Sequence, residues 1–475
     1  MTQAWEIEDF LDIHEDQLHI GGVSAVDLAN QYDTPLFVFS EARIRHNIDR
    51  IKKAAKTIAC PLKICYAAKA MSTMGILKAV QEAGIDIEVN SGGELWKALQ
   101  IGFVGEQIIF NGTSKEIWEL EMAIKAEIYA IQVDSLYELS LIEATAQRLG
   151  KKANVSLRLV PEIETDTHSG LQTALLTSKF GMMPTEAFAA FRRYKSSPNL
   201  DLCGLHLHIG SQNPEGSVYT EAFKILFENL RAIYESTGIK LKHINLGGGF
   251  PVNYLRDQSI EGEIPLRQRK MFQADFDPSQ AIVEAWEAVE IEAAAAGTSE
   301  LIEGLTLLLE PGRGIIADAG VCLTTVHNKK ERPVSSLPSS THSSLPNDVW
   351  LLTDAGFNIL LSMETYKWYY HLISAGRTAE PHDAQYKLAG PLCDGGDVYF
   401  DIEGGGRLPD YRMLPENIEP GEVLALLNCG AYSLAQASQY NGRFLPPVVL
   451  IKKDGSVELI RKRDRFEDLA ANDIY

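Results

Sequence analysis

Short apolar runs alternate with longer amphipathic stretches from about residue 41 to residue 315. The amphipathic stretches, such as 74–83, 93–101 and 116–126, have the length and apolar spacing of helices, whereas the apolar runs have the length of buried strands. The apolar runs are 62–66, 85–89, 107–110, 128–133, 155–160, 203–208, 243–246 and 305–309. These strand–helix repeats predict an α/β fold of the (β/α)8 TIM-barrel type. An open doubly wound sheet is the alternative, because the pattern does not give the order of the strands.

The pattern changes after about residue 318. Strand-like runs at 348–353, 423–427 and 447–452 are separated by turns that contain glycine or proline, which predicts an all-β domain. The runs 34–40 and 18–22 are also strand-like, so we expect the N-terminal segment to join this domain. The predicted organisation is an N-terminal segment 1–40, a barrel 41–317 and a C-terminal β domain 318–475.

Two stretches do not fit the repeating pattern. Residues 329–348 are rich in serine and proline, which is typical of a mobile surface loop. Residues 261–296 carry a long helix-like pattern inside the barrel region, and this pattern predicts an inserted helix. The sequence assigns no function to either insertion.

Composition and charge exclude several classes of function. The chain has 475 residues, 45% of them hydrophobic and 23% charged, which suits two or three domains with sizeable cores. A net charge of −20 argues against nucleic acid or an anionic membrane surface as a partner. The N-terminus lacks a signal pattern, and no run of apolar residues is long enough to span a membrane. The six cysteines lack metal-ligand spacing, so we expect reduced thiols, no metal and a cytoplasmic location.

Lys69 follows the first predicted barrel strand in the sequence YAAKA. A lysine at the mouth of a buried strand has its stem held by the core, and desolvation there disfavours the ammonium and makes the amine a nucleophile. Most lysines in such positions simply extend into solvent. The interpretation of Lys69 as a covalent catalyst therefore depends on the residues that accompany it.

The runs that follow later strands are rich in histidine and glycine. In GLHLHIGSQ, His206 and His208 alternate with apolar residues, so both are expected on one face of a strand. In NLGGGF, Gly247, Gly248 and Gly249 let the backbone approach a ligand closely and direct N–H groups at an anion. The histidines indicate the floor of a pocket or satisfied core residues, and the glycines indicate a phosphate site or a tight turn.

Two further motifs place charged and nucleophilic groups in turns. EPGRG follows the eighth predicted strand, where Glu310 faces the barrel centre or forms a structural ion pair, and Arg313 suits an anionic group. GPLCDGGD places Cys393 in a glycine-rich turn of the β domain. An exposed cysteine there can donate a proton, whereas a buried one would behave as a small hydrophobic residue.

In combination these motifs resemble the fold-type III pyridoxal-phosphate decarboxylases, and most of all the ornithine/diaminopimelate decarboxylase family. The resemblance runs from about residue 34 to residue 447. The motifs that carry it are, in order, YAAKA, NSGGEL, NGTSK, LRLVP, KFG, GLHLHIGSQ, NLGGGF, EPGRG, GPLCDGGD and GAY followed by YN. The resemblance implies an alanine racemase-like barrel with a C-terminal β domain, pyridoxal 5'-phosphate as cofactor, an amino-acid substrate and a homodimer with shared active sites.

The resemblance also implies a role for each matching residue. Lys69 would carry the cofactor, His208 would stack on its ring and Cys393 would come from the partner subunit to protonate the α-carbon. The implied cofactor-binding residues are Lys69, His208, Ser211, Gly248, Gly249, Glu310, Gly312, Arg313 and Tyr432, and the implied substrate-binding residues are Arg158, Arg313, Ser362, Tyr366 and Asp394. Glu310 would keep the ring nitrogen protonated. Racemases of the same fold typically place an arginine there.

Two departures from the family pattern affect the expected substrate. Ser362 and Met363 stand where diaminopimelate decarboxylases usually have an Arg-Pro pair, although Tyr366 matches the family tyrosine. Asp394 follows the cysteine where glutamate is usual. We therefore expect α-decarboxylation of a diaminopimelate-like amino acid or conjugate. The alternatives are a siderophore-type, ornithine-type or lysine-type decarboxylase, an amino-acid racemase, and a non-catalytic decarboxylase-like regulator.

Overall fold

The computed structural model describes residues 5–7, 9–160, 178–255, 264, 266–334 and 347–474. They form two compact units. The barrel unit comprises residues 45–251 and 275–315, and the sheet unit comprises residues 1–44, 252–274 and 316–475. Residues 335–346 of the predicted Ser/Pro-rich loop, and residues 261–263 and 265 of the predicted insertion, lie outside the described residues.

The elements are numbered in chain order. The strands of the described residues are β1 (Leu11–His14), β2 (Gln17–Ile20), β3 (Val23–Ser24), β4 (Leu36–Ser40), β5 (Leu62–Ala67), β6 (Asp86–Val89), β7 (Ile108–Phe110), β8 (Ala130–Val133), β9 (Ala153–Arg158), β10 (Leu200–His206), β11 (His243–Asn245), β12 (Thr306–Leu309), β13 (Gly320–Pro333), β14 (Asn347–Thr353), β15 (Leu372–Ser374), β16 (Ala384–Ala389), β17 (Arg412–Leu414), β18 (Val423–Leu426), β19 (Val448–Ile451) and β20 (Val457–Arg461). The helices are α1 (Ala25–Tyr32), α2 (Glu41–Lys52), α3 (Met74–Glu82), α4 (Gly92–Ile101), α5 (Ile117–Lys125), α6 (Leu136–Leu149), α7 (Pro184–Tyr194), α8 (Ser217–Thr237), α9 (Leu266–Phe272), α10 (Pro278–Ala296), α11 (Arg313–Ile316), α12 (Leu361–Thr365) and α13 (Phe466–Leu469).

The barrel unit contains a closed parallel barrel. Its strands follow the order β5, β6, β7, β8, β9, β10, β11 and β12, and β12 pairs with β5 in parallel, with Leu307 opposite Leu62. The predicted (β/α)8 barrel is confirmed, and the open sheet is excluded because the last strand pairs with the first. In a closed parallel barrel the carboxyl ends of all strands meet at one face, which is where barrel enzymes place their catalytic groups.

Local sequence signals fix where the barrel helices start and stop. The Ser91 hydroxyl accepts a hydrogen bond from the Glu94 amide at 3.2 Å at the start of α4, and Gly102 ends this helix with φ of 100°. Ser135 caps α6 in the same way, and Gly150 ends it with φ of 63°. A serine cap and a left-handed glycine are the usual helix boundaries. The two serines therefore start α4 and α6 soon after β6 and β8, at the carboxyl ends of those strands.

The sheet unit is built on an extended β-sheet. Its main path has the order β17, β16, β14, β13, β4, β19 and β20, with β18 pairing with both β13 and β15. Strand β4 pairs antiparallel with β13 and parallel with β19, so the N-terminal run 34–40 belongs to this sheet. The alternating side chains Leu36 and Val38 pack into a buried apolar cluster with residues of β13 and β19. The N-terminal strand β4 and the C-terminal strands β19 and β20 therefore belong to one sheet.

No helix among the described residues is long and apolar enough to cross a membrane.

Candidate active site

Lys69 lies just beyond the carboxyl end of β5. It occupies a single helical turn, Ala68–Ala70, whose two alanines are buried while the lysine side chain is 39% exposed. Its Nζ lies 3.7 Å from Oε2 of Glu88 and 3.5 Å from Oδ1 of Asn90. The amine is therefore held at the barrel mouth by a carboxylate and an amide from the next strand and its loop.

A buried chain of polar side chains extends from this lysine across the barrel. The Asn111 amide nitrogen donates to Oε1 of Glu88 and to Oε2 of Glu310, at 2.8 Å in each case. Both carboxylates are almost inaccessible to solvent. Such an arrangement costs free energy because two like charges are removed from water and placed on one shared donor. A carboxylate pair of this kind needs a cationic partner.

Glu310 follows β12 and is the most strongly perturbed acid of this cluster. Its other oxygen, Oε1, accepts a hydrogen bond from the Asn245 amide at 2.6 Å. Burial, and after it the neighbouring charge of Glu88, raise the pKa of the Glu310 carboxyl to about 7, although the charge of Lys69 and the two amide hydrogen bonds oppose the rise. Without another cation, a proton is held on Glu310 up to neutral pH.

His206 ends β10 and His208 lies two residues beyond it, and the pKa of each ring is lowered. Burial lowers the pKa of His206 well below its ordinary value, and the charge of Arg158 adds to this effect. The Nε2 atom of His206 lies 3.6 Å from Oε2 of Glu310. Burial and the charge of Lys69 lower the pKa of half-buried His208. Its Nδ1 accepts the Gly248 amide at 3.1 Å, so the ring proton resides on Nε2.

The three glycines after β11 form a tight backbone loop. Gly247 and Gly249 have φ of 66° and 94°, a left-handed region that favours glycine. A Cβ atom on Gly248 would lie 2.4 Å from the backbone oxygen of Glu310, so that position admits no side chain. The Asn245 Oδ1 accepts the Gly247 amide at 2.8 Å and thus links this loop to the carboxylate cluster. The amides of Gly247 and Gly248 are thus engaged by Asn245 and His208, and it is the absence of side chains that lets a ligand approach this backbone closely.

The remaining predicted barrel residues lie on neighbouring strand ends. Arg313 Nε donates to the Ser211 hydroxyl at 3.2 Å. The buried Arg158 guanidinium lies 4.2 Å from the centre of the Phe180 ring, and burial lowers the pKa of this arginine. At Gly312 an added Cβ would lie 3.0 Å from the Cβ of Ala70 and would crowd the Lys69 turn.

The other predicted residues belong to the sheet unit. Cys393 is exposed, whereas the other five cysteines are buried. Ser362 is the second residue of α12 and is buried. Its hydroxyl lies 3.3 Å from the Tyr432 carbonyl and 3.3 Å from Oε1 of Gln436. The Tyr366 amide donates to the Ser362 carbonyl at 3.0 Å. The Ser362 hydroxyl is therefore engaged with its own unit.

A cavity of about 850 Å³ opens at the amino-terminal ends of the barrel strands. Lys63, Tyr129, Lys242 and His243 are among its lining residues, and the predicted site residues are not. Barrel enzymes carry their chemistry at the opposite face. This cavity is thus separate from the polar cluster around Lys69.

Sequence reasoning missed the residues that connect the predicted ones. Glu88, Asn90, Asn111 and Asn245 received no role, although each stands in or next to a predicted strand. The signal for Glu88 was a carboxylate inside the apolar run 85–89. A charged residue in such a run is rarely buried without a partner, so it is a candidate site residue.

Comparison with known proteins identifies the family. The family model described as pyridoxal-dependent decarboxylase, pyridoxal binding domain, matches residues 41–317. This chain belongs to the pyridoxal-dependent decarboxylases. It is 33% identical to the diaminopimelate decarboxylase of Methanocaldococcus jannaschii over 98% of this chain and 97% of that protein, and 32% identical to the enzyme of Bacillus subtilis over 96% and 95%.

Solved structures agree with the sequence relatives. The crystal structure of the Methanocaldococcus jannaschii diaminopimelate decarboxylase has a TM-score of 0.82 at 32% identity, covering 98% of each chain. The Helicobacter pylori diaminopimelate decarboxylase, complexed with L-lysine, has a TM-score of 0.77 at 29% identity, covering 94% of this chain and 98% of that one. The chain is therefore a decarboxylase of fold type III, and its cofactor is pyridoxal 5'-phosphate.

The barrel residues fit that cofactor. Within the described part of the chain, buried atoms that make no hydrogen bond include Oε2 of Glu88, Oδ1 of Asn111 and both ring nitrogens of His206. Buried polar atoms normally have partners, so this cluster indicates a polar group that is bound there. A protonated ring nitrogen would supply the missing cation at Glu310, Lys69 would supply the covalent link and the glycine loop would receive the phosphate. The described residues contain no cluster of histidine, cysteine and acidic side chains that could hold a metal ion.

Proposed function

We propose that this enzyme removes the α-carboxylate of a small amino acid, or amino-acid conjugate, whose distal end carries an amine or a neutral polar group. The observation that carries the proposal is the buried Glu310 carboxyl, with its raised pKa and its two amide donors, one of which also binds Glu88, the ion-pair partner of Lys69. When it is bound, pyridoxal phosphate supplies the electron sink for the pair left behind by carbon dioxide. Glu310 maintains that sink by keeping the ring nitrogen protonated.

The remaining barrel residues orient the reacting groups. Glu88 and Asn90 hold the Lys69 amine at the barrel mouth when it is not bonded to the cofactor. The lowered pKa of His208 keeps its ring neutral at physiological pH, so this ring would stack on the cofactor without adding a positive charge that competes with the one at the ring nitrogen. Ser211, Gly248, Gly249 and Tyr432 would bind the phosphate, and Arg158 and Arg313 would hold the substrate.

Cys393 is the proposed proton donor. The Cα–carboxylate bond breaks, the thiol proton moves to the α-carbon, and the resulting thiolate recovers a proton from water. The exposed position of Cys393 makes it accessible for this step. We expect Cys393→Ala to lower kcat at least 100-fold with little change in cofactor binding. Exchange of enantiomers without release of carbon dioxide would instead show a racemase.

We also propose a homodimer in which Cys393 and Tyr432 complete the active site of the partner subunit. The proposal follows the family resemblance and the assignment of Lys69 and Cys393 to different compact units. Mixing inactive Lys69→Ala protein with inactive Cys393→Ala protein should restore activity, because one site of the mixed dimer would be intact. Subunit exchange without recovery of activity would contradict a shared site.

The distal residues argue against efficient turnover of meso-diaminopimelate, which serves here as the reference substrate. Ser362 is buried and its hydroxyl is already engaged, so it cannot replace a charged bidentate contact to a carboxylate. The loss of such a contact costs about 2 kcal/mol, or about 30-fold in kcat/KM. Asp394 adds a negative charge that repels a carboxylate and attracts an amine.

A carbon dioxide release assay over diaminopimelate, lysine, ornithine, arginine and citryl-type conjugates tests the substrate proposal. We expect at least one substrate without a distal carboxylate to exceed diaminopimelate in kcat/KM. Efficient turnover of diaminopimelate at a low KM would overturn this expectation, and would mean that Arg158 or Arg313 holds the distal carboxylate.

A further inference from the structure

The loop that carries Cys393, residues 390–397, is held by the carboxylate of its last residue, Asp397. Asp397 accepts the Leu392 amide through Oδ2 and the Phe357 amide through Oδ1, at 2.8 Å in each case. At Gly390 an added Cβ would lie 2.4 Å from Oδ2 of Asp397, so the carboxylate packs directly against the backbone of this loop. These contacts set the base of the loop but do not reach the cysteine itself.

The contact at the cysteine comes from Asn441. The Asn441 Oδ1 accepts the backbone N–H of Cys393 at 2.7 Å. The next residue along the loop is held from the same segment, since the Tyr440 hydroxyl donates to Oδ2 of Asp394 at 3.3 Å. Arg443 donates to the Pro391 carbonyl at 2.8 Å. Three residues of one short segment, 440–443, therefore hold three positions of the loop, which are Pro391, Cys393 and Asp394.

The backbone of Asn441 restricts which residue can make this contact. Its φ of 56° and ψ of 22° lie in the left-handed region, which asparagine, aspartate and glycine tolerate better than other residues. Glycine has no side chain to accept the Cys393 amide. Asparagine therefore satisfies two requirements at once: it tolerates the left-handed turn, and its side-chain oxygen accepts the Cys393 N–H.

We propose that Asn441 is a positioning residue for the thiol of Cys393. This inference rests on the proposed function, in which Cys393 protonates the α-carbon. Both Cys393 and Asn441 are exposed, so the apolar core does not fix the loop at this point. Without the Asn441 acceptor, the Cys393 backbone would sample several positions, and proton transfer falls steeply when the donor is displaced by about 1 Å.

Three variants separate the hydrogen bond from the backbone conformation. Asn441→Gly keeps the left-handed turn and removes the acceptor, so we expect kcat to fall at least 10-fold with KM unchanged and the solvent deuterium isotope effect on kcat to increase. Asn441→Asp keeps an acceptor and should stay within about 3-fold of the parent. Asn417→Gly is the matched control, because Asn417 is another exposed asparagine with φ of 57°. It should leave kcat unchanged.

A readout independent of activity is amide hydrogen exchange of a peptide that contains Cys393. Exchange of this amide should be faster in Asn441→Gly than in the parent and should be protected in Asn441→Asp. Parent-like exchange and parent-like kcat in Asn441→Gly would overturn the inference. Full turnover in Cys393→Ala would refute the proposed role of the cysteine as proton donor. Loss of turnover in Cys393→Ala together with parent-like behaviour of Asn441→Gly would refute only the positioning role of Asn441.

Discussion

Glu310→Gln is the substitution that most directly examines the electrostatics of the barrel site. The pKa of the Glu310 carboxyl rises from 4.5 to about 7, first because it is buried and then because of the charge of Glu88. As pH rises, the Glu310 carboxyl of the cofactor-free protein loses its proton at a lower pH in the unfolded chain than in the folded chain. Folding stability should therefore fall as pH rises from about 4.5 to about 7, by about 3 kcal/mol in total.

Glutamine cannot ionise, so the variant lacks this component of the pH dependence. Urea unfolding of both cofactor-free proteins between pH 5 and pH 8 should show the stability difference moving in favour of glutamine up to about pH 7 and levelling off above it. Glutamine also replaces one acceptor oxygen by a donor facing Asn111 or Asn245, so the absolute stability at pH 5 should be lower in the variant. Glu303→Gln, which removes an exposed carboxyl of the same unit, is the control for the loss of one charge.

The same substitution should lower decarboxylation by about 100-fold in the holoenzyme. A neutral side chain no longer holds the proton on the ring nitrogen, and 100-fold corresponds to about 3 kcal/mol of transition-state stabilisation. A stability difference that does not change with pH would refute the reasoning about burial. Unchanged turnover would refute the assignment of Glu310 to the ring nitrogen.

Two further substitutions examine the backbone loop and the support of the site. Gly248→Ala should weaken cofactor binding at least 10-fold, because its Cβ would lie 2.4 Å from a backbone oxygen. Titration of the cofactor absorbance measures this affinity. Gly93→Ala is the control and should leave the affinity unchanged, because its Cβ would lie 3.7 Å from its nearest neighbour. Lys115→Met should lower the free energy of unfolding by about 3 to 5 kcal/mol, because it leaves Glu138 buried without its 2.7 Å partner. Lys125→Ala removes one of the exposed ion pairs and should cost about 0.5 kcal/mol or less in the same urea titration.

The barrel could be predicted from the sequence because its strands are buried on both faces. A strand of this kind is a short continuous apolar run, and such runs stand out between amphipathic helices. The predicted strand 203–208 begins three residues after the first residue of β10 (Leu200–His206), because Asp201 near the start of that strand interrupts the apolar pattern. Strand pairing, and hence closure of the barrel, depends on contacts between distant residues that no local pattern encodes.

The site could be predicted only where it rests on a motif. Lys69 and Glu310 stand at strand ends in recognisable sequences, so the resemblance placed them directly. They are connected through Glu88 and Asn111, and the hydrogen bond from Asn111 to Glu310 joins residues that are 199 positions apart. This bond forms because parallel strands bring their carboxyl ends together. The hydrogen bond from Cys393 to Asn441 likewise joins residues 48 positions apart in loops. Periodicity carries no information about either contact.

The most direct test of the central claim follows carbon dioxide and the α-hydrogen in one experiment. The purified holoenzyme is reduced with borohydride in one sample and is supplied with the amino-acid panel in deuterium oxide in another. The account predicts that reduction fixes pyridoxal phosphate to Lys69, and that the best substrate releases one carbon dioxide for each amine product that carries one deuterium on the former α-carbon. Enantiomer exchange without carbon dioxide, or a cofactor attached elsewhere than Lys69, would contradict it.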